Sequence, residues 1–502
     1  MAVSFNHIPA DIRVPLFYAE VDNSAANTAT VVKKALIIGQ MNDDGSAVNG
    51  VPSLISSATV AKKKFGRGSQ LALMCEAFRN NDTATELWAL PMSATGVASV
   101  GKVEVAGTAL KSGIISFYIG AEKVAVPVSA GTTCSDIVND FISAVNAKKD
   151  LPVTASATTT ETENAVALKL TCKQVGAYGN DIPLDLNLQG SIGGEENVEG
   201  VAVTISQMEN GAGTIDYEEA FKQIETETYW YIGIPDSDST ALDAVKAEMQ
   251  DSTGRWAYSR MQYGHVFTAK RGDSESLVTF GDTRNDQHVT VFGIEPKNAN
   301  PTWITSGAVL GRAAAFLGID PARPLQTGVL NGLMAPSVER RFGFNDRNTM
   351  LKHGIATLTQ QTGTVQIERA ITTYQKNSFG DADNSYLDVT TLYTLAEIIT
   401  TLKTAITSKY PRHKLANDGT RYGPGQAIVT PSVIRSELIA QYQKMEDKGL
   451  VENAELFAKY LIVERDTSDV NRINVLLPPD LVNQLRIFAL QAQFRLQYSS
   501  TD

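Results

Sequence analysis

Strand–helix units recur through the middle of the chain, and that recurrence limits the possible fold more than any other feature. After the linker Gly211–Thr214, Asp216 and Glu219 stand at capping-box spacing and predict a helix running to Ile224. The apolar run Tyr229–Pro235 (YWYIGIP) predicts a strand, followed by a helix over Ala241–Met249. A strand near Gly264–Ala269, a helix near Glu275–Phe280, a strand over His288–Glu295 and a long helix around Thr305–Leu317 complete the series. Parallel strands need long crossover connections, usually helices, so three successive units predict a largely parallel sheet covered on both faces. The pattern begins earlier in the chain. Val31–Gly39 (VVKKALIIG) and Glu86–Met92 (ELWALPM) predict strands flanking a helix from Ser69 to Asn80.

Between these halves the pattern breaks. Residues 94–206 are rich in Val, Thr, Ala and Gly, and alternate in GIISFYIGAEKVAVPVSA and NAVALKLTCK. One helix interrupts them: Cys134–Ala147 places Ile137, Val138, Phe141, Ile142 and Val145 on one face, with Thr133 or Ser135 as cap. The entry Ser93–Gly96 and exit Asn210–Gly213 read as linkers, which predicts an independent module hung on a loop. The last third differs again. Leu392, Leu395, Ala396, Ile399, Leu402 and Ile406 mark a long amphipathic helix, and a second has Thr430 as N-cap, Pro431 at N1 and Gly449 past its end. Tyr460–Asp466 reads as a strand.

The ends of the chain read as arms. Pro9 and Pro15 disfavour a helix, and Val14, Leu16, Phe17 and Tyr18 are apolar but too few to form a core. At the other end Phe488, Leu490, Ala492, Phe494, Leu496 and Tyr498 recur with period two, so an extended strand would carry them on one face. With little chain left to pair it, such a strand is a donor for strand addition to another molecule. The expected organisation is an N-terminal arm (1–27), an α/β core (28–93 plus 207–362), a β-rich insertion (94–206), a C-terminal α+β domain (363–485) and a C-terminal arm (486–502).

Chemistry finds little support. Lys and Arg number 44 against 55 Asp and Glu, a net charge of −11, with no basic block beyond Lys62–Lys64; nucleic acid is not an expected partner. Cys75, Cys134 and Cys172 are odd in number and widely spaced, which fits small buried hydrophobes in a reducing cytoplasm. The first residues show no apolar signal region, and no uninterrupted apolar run approaches the ~20 residues that span a bilayer. Gly96–Lys102 matches most of a phosphate-loop pattern, but Val103 stands where Ser or Thr would hold Mg²⁺, and its surroundings predict a strand. His7, His265, His288, His353 and His413 show no metal-binding spacing. Asp236, Asp238, Lys270, Arg271 and Glu295 follow predicted strand ends, where open α/β sheets place ligands; solvated loops are the simpler reading. No catalytic residue, cofactor or metal is expected.

Five segments carry a resemblance: IPADIRVPLFYAEVDNS (8–24), RAITTYQKNSFGDADNSYLDVTTLYTL (369–395), KLANDGTRYGPGQAIVTPSVIRSELI (414–439), GLVENAELFAKYLIVERD (449–466) and NRINVLLPPDLVNQLRIFALQAQF (471–494). In their order and spacing they resemble the tail sheath family of contractile bacteriophages, most closely its Mu-like branch. The resemblance implies a structural virion subunit, assembled in the host cytoplasm, that forms six-membered rings stacked around a tail tube and contracts without cofactor or nucleotide. It implies a subtilisin-like α/β core without protease chemistry, and terminal arms that add strands to the C-terminal domains of neighbouring subunits. Residues 1–27 and the alternating strand from Phe488 to Tyr498 would serve as those arms. The implied partners are further copies of the chain, the tail tube protein, and the baseplate and tail terminator proteins. The mixed-charge turn Lys444, Glu446, Asp447, Lys448 is either a solvated helix end or a weak, salt-sensitive contact to the tube. A hydrolase on the same core, or another tail component such as a tube or receptor-binding protein, are the competing readings.

Overall fold

Apolar strands and side-chain-capped helices open the described part of the chain. The computed structural model describes residues 32–496; the expected arm residues Val14, Leu16, Phe17, Tyr18 and Tyr498 lie outside the described residues. The first elements are β1 (Ala35–Gly39), β2 (Ser53–Leu54), α1 (Ala58–Phe65), α2 (Gln70–Arg79) and β3 (Leu87–Pro91). Ser57 and Ser69 cap the two helices, their hydroxyls accepting from the backbone N–H of Val60 and Ala72. Sequence reasoning missed α1, whose Lys62–Lys64 run obscures its apolar face.

The insertion holds β4 (Val100–Gly107), β5 (Gly113–Ile119), β6 (Glu122–Val128), α3 (Cys134–Ala147), β7 (Val153–Thr158), β8 (Ala165–Cys172), β9 (Leu184–Leu186) and β10 (Val201–Glu209). They make two antiparallel sheets, ordered β10-β4-β8-β7 and β6-β5-β9. Thr133 is the cap of α3, and Phe141 meets Phe117 edge-on at 5.4 Å. The phosphate-loop lookalike ends in β4, where Lys102 pairs with Glu104 at 2.5 Å on a strand. Expected as a free-hanging module, the insertion is instead docked. Its entry and exit chains pair with each other at Val97–Ala212 and Ala94–Ile215. Its apolar core runs without interruption into that of the main sheet, and Tyr178 meets the fully buried Trp303 at 5.9 Å. Ion pairing reinforces the junction, Arg67 reaching Asp150 with two nitrogens at 2.9 Å each. Linker-like composition describes local chain flexibility and says nothing about which surfaces match in space.

The alternation then resumes with α4 (Tyr217–Lys222), β11 (Tyr231–Gly233), α5 (Ser239–Met249), β12 (His265–Arg271), α6 (Ser274–Asp282), β13 (Val289–Ile294) and α7 (Thr302–Ile319). Asp216, Asp238 and Asp273 cap α4, α5 and α6 with their side chains. The sheet order is β13-β12-β11-β1-β3-β2; its first five strands are parallel and only the edge strand β2 runs antiparallel. The two-residue period sorts each strand between two cores. Ala35, Ile37, Tyr231, Phe267 and Phe292 enter the cluster under α2 and α7. Leu36, Ile38, Ile232, Val266 and Val291 enter the cluster on the other face, with residues of α4 and α5. Both faces being covered, β1 is buried along its whole length, as parallel strands usually are. Helix α7 is long and apolar enough to cross a membrane, yet two thirds of it is buried against the sheet and α2. Gly307 and Gly311 permit that approach: a Cβ on Gly307 would lie 2.6 Å from the Met74 carbonyl oxygen, and one on Gly311 would strike that of Phe78.

After α8 (Phe344–Lys352), β14 (Thr357–Gln361) and β15 (Thr364–Arg369) form a hairpin beside β13, joined through Phe292–Ala356. The domain boundary expected at 362/363 falls in its turn, where Thr362 and Gly363 take positive φ. A boundary there would cut a paired hairpin, so the core extends through Ile371, which is buried with it. The remaining elements are α9 (Val389–Lys409), β16 (Lys414–Leu415), β17 (Ile428–Val429), α10 (Pro431–Asp447), α11 (Ala454–Tyr460), β18 (Ile462–Arg465) and β19 (Ile473–Leu476). The first half of α9 gives Val389, Tyr393 and Ala396 to the main core; its second half gives Ile398 and Leu402 to a separate core with Ile434, Leu438, Tyr442 and Phe457. Tyr442 and Phe457 stack at 3.7 Å. Gly307→Ala should destabilise the subunit by about 1–3 kcal/mol, because the added methyl meets rigid backbone; urea unfolding checks this, and an unchanged midpoint would mean that α2 and α7 separate freely.

Candidate functional site

The carboxyl ends of the parallel strands are the usual ligand position of an open α/β sheet. After β11 and β12 the protein's own groups fill it. Asp236, after β11, is buried and accepts from the Tyr217 hydroxyl at 2.7 Å. Burial pushes its carboxyl up to about 6, with nearby Asp238 adding to the rise and the Tyr217 hydrogen bond opposing it. Arg271, ending β12, pairs with Asp181 of the insertion and donates to the carbonyls of Glu295 (3.1 Å), Asn298 (2.7 Å) and Asn300 (2.7 Å). Asp181 also accepts from the backbone N–H of Thr302, in the first turn of α7, at 2.5 Å. A carboxylate of the chain thus occupies the helix terminus that could attract an anion. Glu295 is buried and accepts from Asn298 at 2.8 Å; Lys270 lies over the Phe280 ring at 4.5 Å. The solvated-loop expectation is corrected for Asp236 and Glu295, which the docked insertion and the following loops cover. Asp238 serves its helix.

Two of the histidines are also buried and hydrogen-bonded. His265 shares a hydrogen bond with Thr290 at 2.8 Å, and burial holds its ring well below the ordinary histidine range, hence neutral. His288 bonds Asp251 at 3.1 Å and lies 4.8 Å from the Trp256 ring. Among the described residues no group of three His, Cys, Asp or Glu is arranged to hold a metal. Cys75 and Cys172 are buried as expected, while Cys134 is half-buried. A polar cavity of about 730 Å³ lies between the ends of β1 and β3 and the insertion. Two of its basic groups are occupied too: Arg67 by Asp150, and Lys173 by the carbonyls of Arg67 and Lys149 at 2.8 Å each.

The opposite situation holds at the C-terminal end, where apolar groups are left uncovered. Strands β18 and β19 pair only with each other, and Ile462, Val475 and Leu476 are exposed on them. The chain then returns along the domain. Leu481 pairs with Val451, and the Tyr442 hydroxyl bonds the carbonyl of Glu452 (2.8 Å) and the N–H of Asp480 (3.0 Å). Beyond Arg486 the side chains turn outward: Phe488 is 80% exposed, Leu490 78%, Phe494 85% and Leu496 96%, and Ala492 is exposed as well. Among the described residues the strand expected from Phe488 forms no ladder; a ladder needs partner N–H and C=O groups alongside it. Lys444 and Lys448 are exposed at the end of α10, while Glu446 turns back and accepts from the N–H of Ala454 at 3.0 Å. Sequence reasoning missed the cluster at the base of the arm, Arg369, Asp388 and Arg486. These residues are scattered along the chain, so no periodicity links them.

A docked α/β core followed by an α+β domain with an uncovered terminal segment defines a structural subunit. The central-domain model of phage tail sheath proteins matches residues 210–373, and the sheath C-terminal-domain model matches 381–495. The tail sheath protein of the Mu-like prophage FluMu of Haemophilus influenzae is 40% identical over 501 residues, 99% of this chain and 100% of that protein. A sheath tail protein of Desulfitobacterium hafniense shares the fold at a TM-score of 0.50 and 12% identity, covering 94% of this chain and 97% of that one. The chain belongs to the phage tail sheath family, with its similarity on the Mu-like side, and is a structural component of the phage tail.

The buried acid gives a pH signature. Asp236 keeps its proton to higher pH when folded than when unfolded, so its contribution to stability falls as pH rises from about 4 to about 6. Asp236→Asn should remove that decline and gain up to about 3 kcal/mol relative to the parent at pH 7.5, with little difference at pH 4. Thermal melting across this range tests it; parallel pH profiles would show that Asp236 is not buried as an acid.

Proposed function

We propose that the chain polymerises as stacked hexameric rings around the tail tube, and that contraction of this lattice drives the tube through the host envelope. The observation that carries this reading is the run of uncovered apolar side chains from Phe488 to Leu496, on a chain whose other large apolar groups are mostly buried. An alternating segment that forms no ladder among the described residues is suited to join a sheet edge of a neighbouring subunit, and among those residues β18 and β19 each have an open edge. The N-terminal arm, with Val14, Leu16, Phe17 and Tyr18, would contribute a second such strand. Work of contraction is then stored during assembly in two alternative sets of interfaces, with no nucleotide or cofactor.

In this reading the core is a subtilisin-type α/β domain without protease chemistry. That is supported by the burial of His265, Thr290 and His288, which leaves none of them open to a substrate. The insertion would face outward, where bulk does not obstruct the tube, and assembly would take place in the host cytoplasm. The tail tube, baseplate and terminator proteins would be partners. Exposed Lys444 and Lys448 offer a weak ionic contact to the tube; reversing both charges should weaken sheath–tube co-assembly at low salt and leave folding unchanged, and unaltered co-sedimentation would remove α10 from that contact.

The arm has a sharper test. Each interchain backbone hydrogen bond contributes a net ~1 kcal/mol, so an added strand is a sum of modest terms repeated around a ring. Leu490→Asp with Phe494→Asp puts charge on the face to be buried and should leave a folded subunit that forms no striated tubes by negative-stain microscopy. Normal tubes from this double variant would contradict the arm assignment.

A further inference from the structure

An arm that joins a neighbour needs a fixed point of departure, and three segments distant in sequence converge where this one leaves. Arg369, at the end of β15, reaches Asp388 with Nε (3.1 Å) and Nη2 (2.9 Å). Arg486 donates through Nη2 to the same Asp388 Oδ1 at 3.0 Å and through Nη1 to Gln326 Oε1 at 3.2 Å. On the preceding residues, Gln484 Nε2 donates to the Ala322 carbonyl at 2.6 Å, and Gln326 Nε2 to that of Leu485 at 3.5 Å. Side-chain exposure is 12% for Arg486, 21% for Asp388 and 27% for Arg369, so these pairs are largely sheltered from salt. Asp388 precedes α9 as its N-cap residue but makes no side-chain bond to that helix, leaving its carboxylate to the two guanidinium groups. One residue later the chain is outside: Ile487 and Phe488 are each 80% exposed.

We propose that the Arg369–Asp388–Arg486 cluster is a latch that sets where the C-terminal arm leaves the subunit, and thereby the position from which it reaches its neighbour. The proposal rests on the arm reading above. Backbone pairing of the arm with its own domain extends only to Val482, whose N–H donates to the Leu450 carbonyl at 3.3 Å. Without the latch, Gln484 would still hold the Ala322 carbonyl, and residues 485 and 486 would join the free segment and add about 7 Å of reach. A longer, looser tether lowers the effective concentration of the arm at a fixed neighbouring edge. Arginine suits the task because its planar fork bonds Asp388 and Gln326 at once, which fixes direction as well as distance. Arg486 is therefore a positioning residue; it touches its own subunit and acts through the arm.

The test compares full-length Arg486→Gln, Arg486→Lys and the Leu490→Asp/Phe494→Asp double variant with the parent. Three quantities are measured: thermal midpoint, the rate of chymotryptic cleavage after Phe488 in the free subunit, and the threshold concentration for tubes by sedimentation and negative stain. Chymotrypsin needs several extended residues on both sides of the cut, so latched residues 484–486 should slow it in the parent. Arg486→Gln should melt as the parent does, be cleaved several-fold faster, and need about tenfold more protein to form tubes. Arg486→Lys, with the charge but not the fork, should fall between. If Arg486→Gln forms tubes at the parental threshold while the double variant does not, the latch is wrong and the arm reading stands. If both form normal tubes, the arm reading fails and the latch with it. A lowered midpoint with unchanged cleavage would reduce Arg486 to a stabilising contact and overturn the proposal.

Discussion

One helix shared between two hydrophobic cores is the constraint on which the rest of this subunit depends. The first half of α9 packs into the main core. Tyr393 stacks on Tyr231 at 5.4 Å and donates its hydroxyl to the Trp230 carbonyl at 2.7 Å. Two turns further on, Leu402 belongs to the C-terminal core. A helix cannot be displaced at one end without straining the other, since both ends sit in close-packed surroundings. The two domains therefore transmit force to each other through a rod, which suits a subunit proposed to move as a unit while its arms keep the lattice joined.

The insertion has a comparable effect on the sheet. Asp181 binds Arg271 and the first turn of α7 together, at the place where folds of this architecture hold a ligand. A partly buried arginine without a partner would be costly, so this carboxylate satisfies the charge at the end of β12. The same holds for the neutral His265 and for Asp236, whose environment favours its protonated form. Asp181 is thus consumed in holding insertion and core together, while His265 and Asp236 are tied to Thr290 and Tyr217 within the core, in agreement with membership of a structural family.

Much of the architecture was legible in the sequence because the forces that decide it are local or periodic. Capping residues such as Asp216, Ser69 and Thr133 mark helix starts through bonds to backbone two or three residues away. Strand and helix periods identified the alternating core, the amphipathic α9 and the apolar alternation of the terminal arm. Shorter or less regular pieces escaped: α1, hidden by its lysines, and the β14–β15 hairpin, which the expected boundary at 362/363 divides.

The sequence by itself determined which residues form the parallel sheet, that an α+β domain follows it, and that the terminal segment carries one apolar face. Tertiary structure alone decided that the insertion is welded to the core, that the acids after the strands are buried, and that Arg369, Asp388 and Arg486 meet. The division has a physical cause. Periodicity and capping act within a few residues and leave their record in spacing, whereas charge pairing across 98 positions, as between Asp388 and Arg486, depends on how finished elements stack and leaves no pattern along the chain.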